Sequence, residues 1–280
     1  MRKITIGMVI LSIILIGMVI PAGFSDQVNS VVITYGETTH ANTNYKSDVD
    51  SFFKSQSNLD LSKADEKIIT ASDVNKIAST ITGRTYDSSE VFSSALVNLK
   101  DSTNLQVSVD KSKITTVTGD MYLSALKSAG IKSGHVYVTS PVSATGESAL
   151  AGIMNCYEEA TNVKIPETVK EAANKEIYTQ AEVVENSNAS SDQVSKLVDD
   201  VKETVKQNNV TDHKTIVNII YNYTVNNNIN ITNSSIENLA NSIEQTQNAQ
   251  GDINKYETQV SGVLNSTSSS DKGFLDGLFG

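Results

Sequence analysis

The sequence holds few of the residues that most often build catalytic or metal sites. It has 1 cysteine, 3 histidines and no tryptophan in 280 residues. The single cysteine, Cys156, excludes an intramolecular disulfide, and we expect it to be a buried apolar residue of a helix rather than a nucleophile. His40, His135 and His213 have no metal-ligand spacing, so the sequence predicts neither a metal centre nor a catalytic set.

Basic residues are also scarce relative to acidic ones. The chain has 22 Lys and Arg against 32 Asp and Glu, a formal net charge of -10. Nucleic acid binding requires clustered positive charge, which the sequence lacks, so nucleic acid is excluded as a partner. It also lacks a glycine-rich phosphate loop, so it predicts no nucleotide cofactor. A hydrophobic content of 39% still indicates a folded chain, and the length suits two modest domains.

The N-terminus has the three parts of a secretory signal peptide. Arg2 and Lys3 precede an uninterrupted apolar run from Ile4 to Ile20, and small residues follow up to Ser25. This order predicts a signal peptide over residues 1–25 and an exported protein, extracellular or at the cell surface. The apolar run is slightly longer than a usual signal core, so an uncleaved anchor is the alternative. We expect contact with a membrane only through this segment, where it stays uncleaved.

Residues 118–162 carry the most regular pattern of the chain, which is that of a helix, a strand, a turn and a second helix. Thr118 is placed to cap the first helix. The strand covers residues 135–139, with Val136 and Val138 on its buried face. The apolar stripes that define the two helices are Met121, Tyr122, Ala125, Leu126 and Ala129, and Leu150, Ile153, Met154, Tyr157 and Ala160.

The turn between this strand and the second helix is the candidate ligand site. We expect Thr145 or Ser143 to cap the helix, whose unpaired N–H groups and positive dipole end favour an anion. The candidate residues are Thr139, Ser140, Ser143, Thr145 and Gly146. The turn has no lysine at phosphate-loop spacing, so ordinary helix capping is the alternative interpretation.

The segment before residue 118 is mixed in pattern. We expect a first strand over Val28–Tyr35, because this run is rich in β-branched residues and stops at a glycine. Helical spacing then predicts short helices over residues 45–56 and 72–81. Two further apolar runs, residues 91–99 and 105–109, flank a polar interval and predict a β-hairpin.

The segment after residue 162 has helical spacing throughout. Narrow apolar stripes recur, and two capping boxes are expected, Ser190 with Gln193 and Ser234 with Glu237. Short polar links favour antiparallel packing of such helices. We therefore predict an α+β N-terminal domain, an all-α helical bundle and a flexible tail, with boundaries at residues 26–163, 164–265 and 266–280.

Three segments carry a resemblance to a known family. They are Met121-Tyr122-Leu123-x-Ala125-Leu126-x-x-Ala129-Gly130, Val136-Tyr137-Val138-Thr139-Ser140-Pro141 and Gly146-x-Ser148-Ala149-Leu150-x-Gly152. Their order and spacing resemble the YpuA-like secreted proteins, catalogued as domain of unknown function 1002. The likeness spans residues 28–162. It implies a signal peptide, an extracytoplasmic location and an α+β domain followed by helices, and it implies no activity, cofactor or catalytic residue.

The glycosylation sequon Asn-x-Ser/Thr recurs in the C-terminal part of the chain. In an exported chain such asparagines are glycan acceptors if the host has the transferase. One of them, Asn222, falls inside a predicted helix and is the least suited. The others are Asn188, Asn209, Asn230, Asn233 and Asn265. Chance is the alternative explanation, because the sequence is rich in asparagine, serine and threonine.

The sequence supports three hypotheses of function. The first is a non-catalytic protein of the cell envelope that binds an envelope component or another surface protein, and the lack of catalytic motifs favours it. The second is an envelope-directed hydrolase with paired carboxylates, which requires two carboxylates in one cleft and a raised pKa for one of them. The third is a small-ligand or anion binder at the turn near Thr145.

Overall fold

The structure is a computed structural model that describes residues 30–100 and 104–276, with the side chains of all of these except residue 82 and residues 265–276. The predicted signal peptide, residues 1–25, therefore lies outside the described residues. So do residues 277–280 of the predicted tail.

The N-terminal half contains one mixed five-stranded sheet. Its strands are β1 (Val31–Gly36), β2 (Asp65–Ile69), β3 (Ser94–Asn98), β4 (Leu105–Val109) and β5 (Gly134–Thr139). They lie in the order β2-β1-β3-β5-β4. The pairs β1/β2 and β4/β5 are parallel, and the pairs β1/β3 and β3/β5 are antiparallel.

Helices connect the strands and then make up the rest of the chain. The first five are α1 (Glu37–Ala41), α2 (Thr43–Ser57), α3 (Ala71–Thr82), α4 (Gly119–Ser128) and α5 (Ala149–Thr161). The next five are α6 (Glu167–Glu185), α7 (Ser191–Gln207), α8 (His213–Asn226), α9 (Asn233–Asn248) and α10 (Gln250–Asp276).

The predicted hairpin of residues 91–99 and 105–109 is wrong, because β5 lies between β3 and β4. β5 pairs antiparallel with β3 on one side and parallel with β4 on the other. A parallel pair needs a crossover connection, which α4 supplies between β4 and β5. The polar interval that suggested a tight turn includes residues 101–103, which lie outside the described residues.

Both faces of the sheet are covered. On one face the strands pack against α2 and the turn after it, in a cluster of Val31, Ile33, Tyr35, Val49, Phe53, Leu61, Leu96 and Tyr137. On the other face they pack against α4 and α5. The predicted burial of Val136 and Val138 is confirmed, since both are 0% exposed and belong to this second cluster.

The helices after residue 163 share a core with this second face of the sheet. One cluster of buried residues runs from Val32 in β1 through α4 and the later helices to Tyr256 in α10. α6 lies at its centre and packs against α3, α4, α5, α7, α9 and α10. The shared core crosses the predicted boundary between residues 163 and 164, and the division into an α+β domain and an all-α bundle stays a prediction.

The helix ends agree with some of the predicted caps. Thr118 caps α4, and Ser190 forms the predicted capping box with Gln193 at α7. The second predicted box is wrong, because Thr232 rather than Ser234 caps α9. α10 continues to Asp276, so residues 266–276 of the predicted tail are helical. Among the described residues, no helix is both long enough and apolar enough to cross a membrane.

Candidate functional site

The turn that sequence analysis selected as a ligand site packs closely on the segment before α4. Thr139 Oγ1 donates to Asp110 Oδ2 at 2.8 Å, and Tyr122 Oη donates to the carbonyl of Gly146 at 2.5 Å. Gly146 has a positive φ of 110°, and a Cβ there would lie 2.7 Å from Ile114 Cγ2. This backbone therefore requires glycine, and its packing leaves little room for a ligand.

The five candidate ligand residues differ in exposure. Thr139, Ser140 and Gly146 are buried, Thr145 is half-buried and Ser143 is exposed. The predicted cap by Thr145 or Ser143 is wrong, because the residue before α5 is Ser148, which makes no side-chain capping bond. Their role as ligand residues stays a prediction.

A carboxylate of the protein itself occupies the neighbourhood of the α5 N-terminus. Glu147 precedes the helix and is 2% exposed. Burial is the largest cause that raises the pKa of Glu147, and hydrogen bonds from Thr145 and from its own backbone oppose the rise. Glu147 is thus a buried carboxyl group of the protein itself, next to the helix end where the sequence suggested either an anion site or ordinary capping.

Glu147 belongs to a polar cluster that joins α3, α5 and α6. Arg84, just after α3, pairs with Glu185 at the end of α6, with 3.0 Å between Nη2 and Oε2. The charge of Glu185 raises the pKa of Glu147, whereas Arg84 lowers it. Burial raises the pKa of the adjacent Tyr86 and Tyr178. We call these five residues the Glu147 cluster.

Glu185 also borders an open groove of about 460 Å³ between two loops. One loop follows α6 and the other joins α8 to α9. The groove is lined by Glu185, Asn186, Ser187, Asn188, Asn230, Ile231 and Thr232. We call it the Asn groove, because three of these side chains are asparagine amides.

Helix caps fix the two loops that form the Asn groove. In the first loop, Ser190 accepts a hydrogen bond from the N–H of Gln193 at 3.2 Å. In the second, Thr232 accepts one from the N–H of Ser235 at 3.0 Å, and Asn228 takes a positive φ of 54° after α8. The helices α6 and α9 pack against each other, which brings both loops to one end of the helices. The groove is therefore a product of tertiary packing.

A second polar cluster lies between α4, α6 and α7. Lys202 Nζ is 2.8 Å from Glu176 Oε1, 2.8 Å from Ser124 Oγ and 2.6 Å from Ser128 Oγ. Ser124 Oγ is also 2.5 Å from Asp199 Oδ1. An ammonium has three N–H donors, and these partners use all of them. We call this the Lys202 network. Its side chains bind one another, so we interpret it as a structural contact between helices rather than an open site.

Sequence analysis missed both polar clusters, although one carried a signal. Glu176 lies three residues after Ala173 and four residues after Ala172, so it shares their face of α6. It also comes directly before Ile177, and it therefore interrupts the buried apolar stripe of this helix. A charged residue on an apolar helix face must be paired, and Lys202 provides the pair. The Asn groove had no such signal, because its two loops are distant in sequence.

The histidines and the cysteine have local partners. His135 lies between Ser108 Oγ and Tyr137 Oη, both at 2.9 Å, and is half-buried. His213 lies 2.7 Å from Glu237 and 3.0 Å from Glu244. Cys156 is buried as predicted, and burial raises the pKa of its thiol to about 12. Within the described part of the chain, no group of three His, Cys, Asp or Glu side chains could hold a metal ion.

Comparison with known proteins places the chain in a family. The model of the family described as protein of unknown function (DUF1002) matches residues 35–263. The chain belongs to this family. It is 30% identical over 223 residues to the uncharacterized protein YpuA of Bacillus subtilis (strain 168), which covers 76% of this chain and 70% of that protein. The family match therefore extends beyond residue 162 and includes α6 to α9. No solved structure matches the chain.

Proposed function

We propose that this chain is an exported, non-catalytic binding protein of the cell envelope, and that the Asn groove holds its ligand. The observation that carries the proposal is the groove itself, which is open, has a volume of about 460 Å³ and is lined mainly by polar side chains. The charged, apolar and small-residue order of residues 1–25 supports export. The fixed ends of α7 and α9 support a preformed site.

The lining of the Asn groove suits an uncharged polar ligand. Each asparagine amide offers two donors and one acceptor, which together match neighbouring hydroxyl groups. The carboxylate of Glu185 is balanced by Arg84, so the groove has little net charge. The chain as a whole has a charge of -10, which disfavours strongly anionic polymers. We therefore propose that the ligand is an uncharged carbohydrate of the envelope.

A non-catalytic role is favoured because the most buried carboxylates face protein partners. Glu176 is 2% exposed and is bound by Lys202. Glu147 is equally buried, shortly before the start of α5. Neither carboxylate lines the Asn groove. The groove presents one carboxylate, Glu185, among amide and hydroxyl groups.

Co-sedimentation with envelopes tests the proposal. Purified residues 26–280 are incubated with isolated host envelopes, and the protein in the pellet is measured. We expect binding, and we expect the double variant Asn188→Ala/Asn230→Ala to bind at least about tenfold more weakly, since each lost amide removes hydrogen bonds worth about 1 kcal/mol. Asn222→Ala, which removes an exposed amide of α8 outside the groove, is the matched control.

Each outcome of this assay is informative. Failure of the unaltered protein to pellet would contradict envelope binding. Equal pelleting of the double variant and the control would move the ligand away from the Asn groove. A soluble carbohydrate ligand added in excess should displace the protein from the pellet, so undiminished pelleting in the presence of soluble wall carbohydrate would contradict the carbohydrate class.

A second candidate function is an envelope-directed hydrolase that uses Glu147 and Glu185. The observation that favours it is the raised pKa of Glu147 beside a second carboxylate that borders a groove. The same assay tests it through the release of soluble wall fragments. A hydrolase would release fragments with time, and Glu147→Gln or Glu185→Gln would stop the release. Binding without release would exclude this alternative for the envelope used.

A further inference from the structure

The structure separates the sequons of the C-terminal part by their surroundings. The side chain of Asn265 lies outside the described residues, and the asparagines of the other sequons are all exposed. Exposure of the asparagine alone does not distinguish them. A transferase must also reach the Ser or Thr two residues later, because the sequon is recognised as a unit. The environment of this second residue differs among the sequons.

Two sequons lie within helices. Asn222 is in α8, where Thr224 is 4% exposed and donates to the carbonyl of Tyr221 at 2.8 Å. Asn233 is the first residue of α9, where Ser235 is 9% exposed. An enzyme could engage either tripeptide only after local unfolding of the helix. Neither is a suitable acceptor in the folded protein.

Two other sequons belong to the Asn groove. Asn188 and Asn230 line it, and the hydroxyls of their sequons, on Ser190 and Thr232, cap α7 and α9. Recognition of these hydroxyls would remove the caps and so destabilise the starts of α7 and α9. A glycan on either asparagine would also fill the groove. Helix capping therefore explains why a Ser or Thr lies two residues after each of these asparagines.

The remaining described sequon, Asn209-Val210-Thr211, has none of these restrictions. Asn209 follows α7 with a positive φ of 51°, in the short connection to α8. Asn209 and Thr211 are both exposed. The cap of α8 is Asp212, which accepts from the N–H of Thr215 at 2.9 Å, so α8 does not depend on Thr211. The 17 residues of α7 separate Asn209 from the groove by about 25 Å at 1.5 Å per residue.

We infer that Asn209 is the acceptor of an N-linked glycan. In the reaction, Asn209 Nδ2 forms a bond to the anomeric carbon of an oligosaccharide carried by a polyprenyl phosphate. The bond between that carbon and the phosphate oxygen breaks, the polyprenyl phosphate leaves and the amide loses one proton. A membrane-bound oligosaccharyltransferase of the host supplies the donor and the catalysis. The inference rests on the proposed export, because the transfer takes place outside the cytoplasm.

Mass spectrometry of the native protein tests the inference. The chain is purified from its own host as the unaltered protein and as Asn209→Gln, Thr211→Ala and Asn222→Gln. We expect the peptide with Asn209 to carry added mass equal to a whole number of sugar residues. Both Asn209→Gln and Thr211→Ala should remove that mass from the intact protein, and Asn222→Gln should not. Thr211→Ala keeps the asparagine at positive φ, so its loss of mass cannot result from altered folding there.

The outcomes distinguish this inference from the proposed function. An exported chain whose Asn209 peptide carries no sugar would overturn the inference and leave export and groove binding intact. Unchanged intact mass in both Asn209→Gln and Thr211→Ala would overturn it in the same way. Recovery of the chain only from the cytoplasm would overturn the proposed export and, with it, the glycan at Asn209.

Discussion

The sheet and the helices after it bury polar groups in different ways. Where α5 packs on β1, the buried polar groups are uncharged, such as Cys156, whose Sγ lies 3.5 Å from the carbonyl of Val32. Between α4, α6 and α7, a buried carboxylate, Glu176, pairs with a half-buried ammonium, Lys202. Close steric fit therefore positions the helix on the sheet, whereas charge pairing positions the helices on one another.

Charge pairing also positions the link between α5 and α6, where the sheet region meets the later helices. Glu158, near the end of α5, is 7% exposed and accepts a hydrogen bond from the N–H of Ile165 at 2.8 Å. Lys170 of α6 and Lys164 pair with the same carboxylate at 2.9 and 3.2 Å. This contact ties the link between α5 and α6 to both helices. The helical region therefore begins with a paired buried charge.

Removal of one charge from the Lys202 network is the change from which we expect the largest effect. Lys202→Met leaves Glu176, with a side chain 3% exposed, buried without its counterion. We expect the free energy of unfolding in urea to fall by about 3–5 kcal/mol. The matched control is Lys196→Met, which breaks an exposed pair with Asp200 and should cost less than about 1 kcal/mol.

A double variant shows whether charge or packing causes that loss. Glu176→Gln/Lys202→Met removes both charges and keeps an amide that can bond Ser124 and Ser128. We expect it to regain much of the lost stability, because the uncompensated charge is gone. A double variant as unstable as Lys202→Met alone would show that packing, and not charge, holds α4, α6 and α7 together.

A larger residue at the contact of α5 with β1 tests whether close steric fit positions this helix on the sheet. A Cβ on Gly152 would lie 2.6 Å from Thr34 Oγ1 and 3.2 Å from Ile69 Cγ1. We expect Gly152→Ala to lower the free energy of unfolding by about 1–3 kcal/mol, measured by urea denaturation. Gly251→Ala is the control, because a Cβ there meets nothing within 4 Å. Equal stability of the two variants would show that α5 can shift on the sheet at little cost.

Removal of the charge on Glu147 should stabilise the protein near neutral pH. Burial raises the pKa of Glu147 above the ordinary 4.5, so the folded state binds the proton more tightly than the unfolded state. Stability is then lost as the pH rises through the folded pKa. We expect Glu147→Gln to have a higher free energy of unfolding than the unaltered protein at neutral pH. The difference should vanish below that ordinary pKa of 4.5.

The control for Glu147→Gln is a variant of Glu185, the carboxylate that pairs with Arg84. Glu185→Gln removes one ion-pair partner of Arg84 and should lower stability slightly, because the Arg84–Glu185 pair is partly exposed. If Glu147→Gln were also destabilising at neutral pH, the carboxylate would be needed in its charged form. That result would return Glu147 to consideration as a functional group.

Local patterns in the sequence predicted those features that depend on neighbouring residues. Thr118 as the cap of α4 and Ser190 as the cap of α7 follow from one turn of sequence each. The abundance of asparagine has a partly local cause as well. Asn58, Asn162, Asn209 and Asn228 all take positive φ at helix ends, where an asparagine replaces the more usual glycine. That role was available from the sequence and was missed.

The missed features depend on residues that are distant in sequence. Glu176 and Lys202 are 26 positions apart, and Ser124 and Lys202 are 78 apart. The pairing of β3 with β5 rather than β4 likewise depends on the crossover through α4. Helical and strand periodicity identifies which face of an element is buried, but it does not identify the partner. The fold class was therefore easier to predict than the candidate site.

The smallest expected effect is a pH dependence at the contact of α8 with α9. His213 lies between Glu237 and Glu244, and hydrogen bonds to these two carboxylates raise its pKa above 6.5. A raised folded pKa gives stability that is present below the unfolded pKa and is lost as the pH rises through the folded pKa. Because the side chain is 38% exposed, solvent screening should keep the contribution below about 1 kcal/mol.

Thermal unfolding at several pH values measures the contribution of His213. The midpoint of the unaltered protein should fall between weakly acidic and weakly alkaline pH by more than that of His213→Gln. His40→Gln, which changes an exposed histidine before α2, should behave as the unaltered protein does. If His213→Gln kept the full pH dependence, another group would cause it. Charge pairing between α8 and α9 would then make no measurable contribution to stability in this pH range.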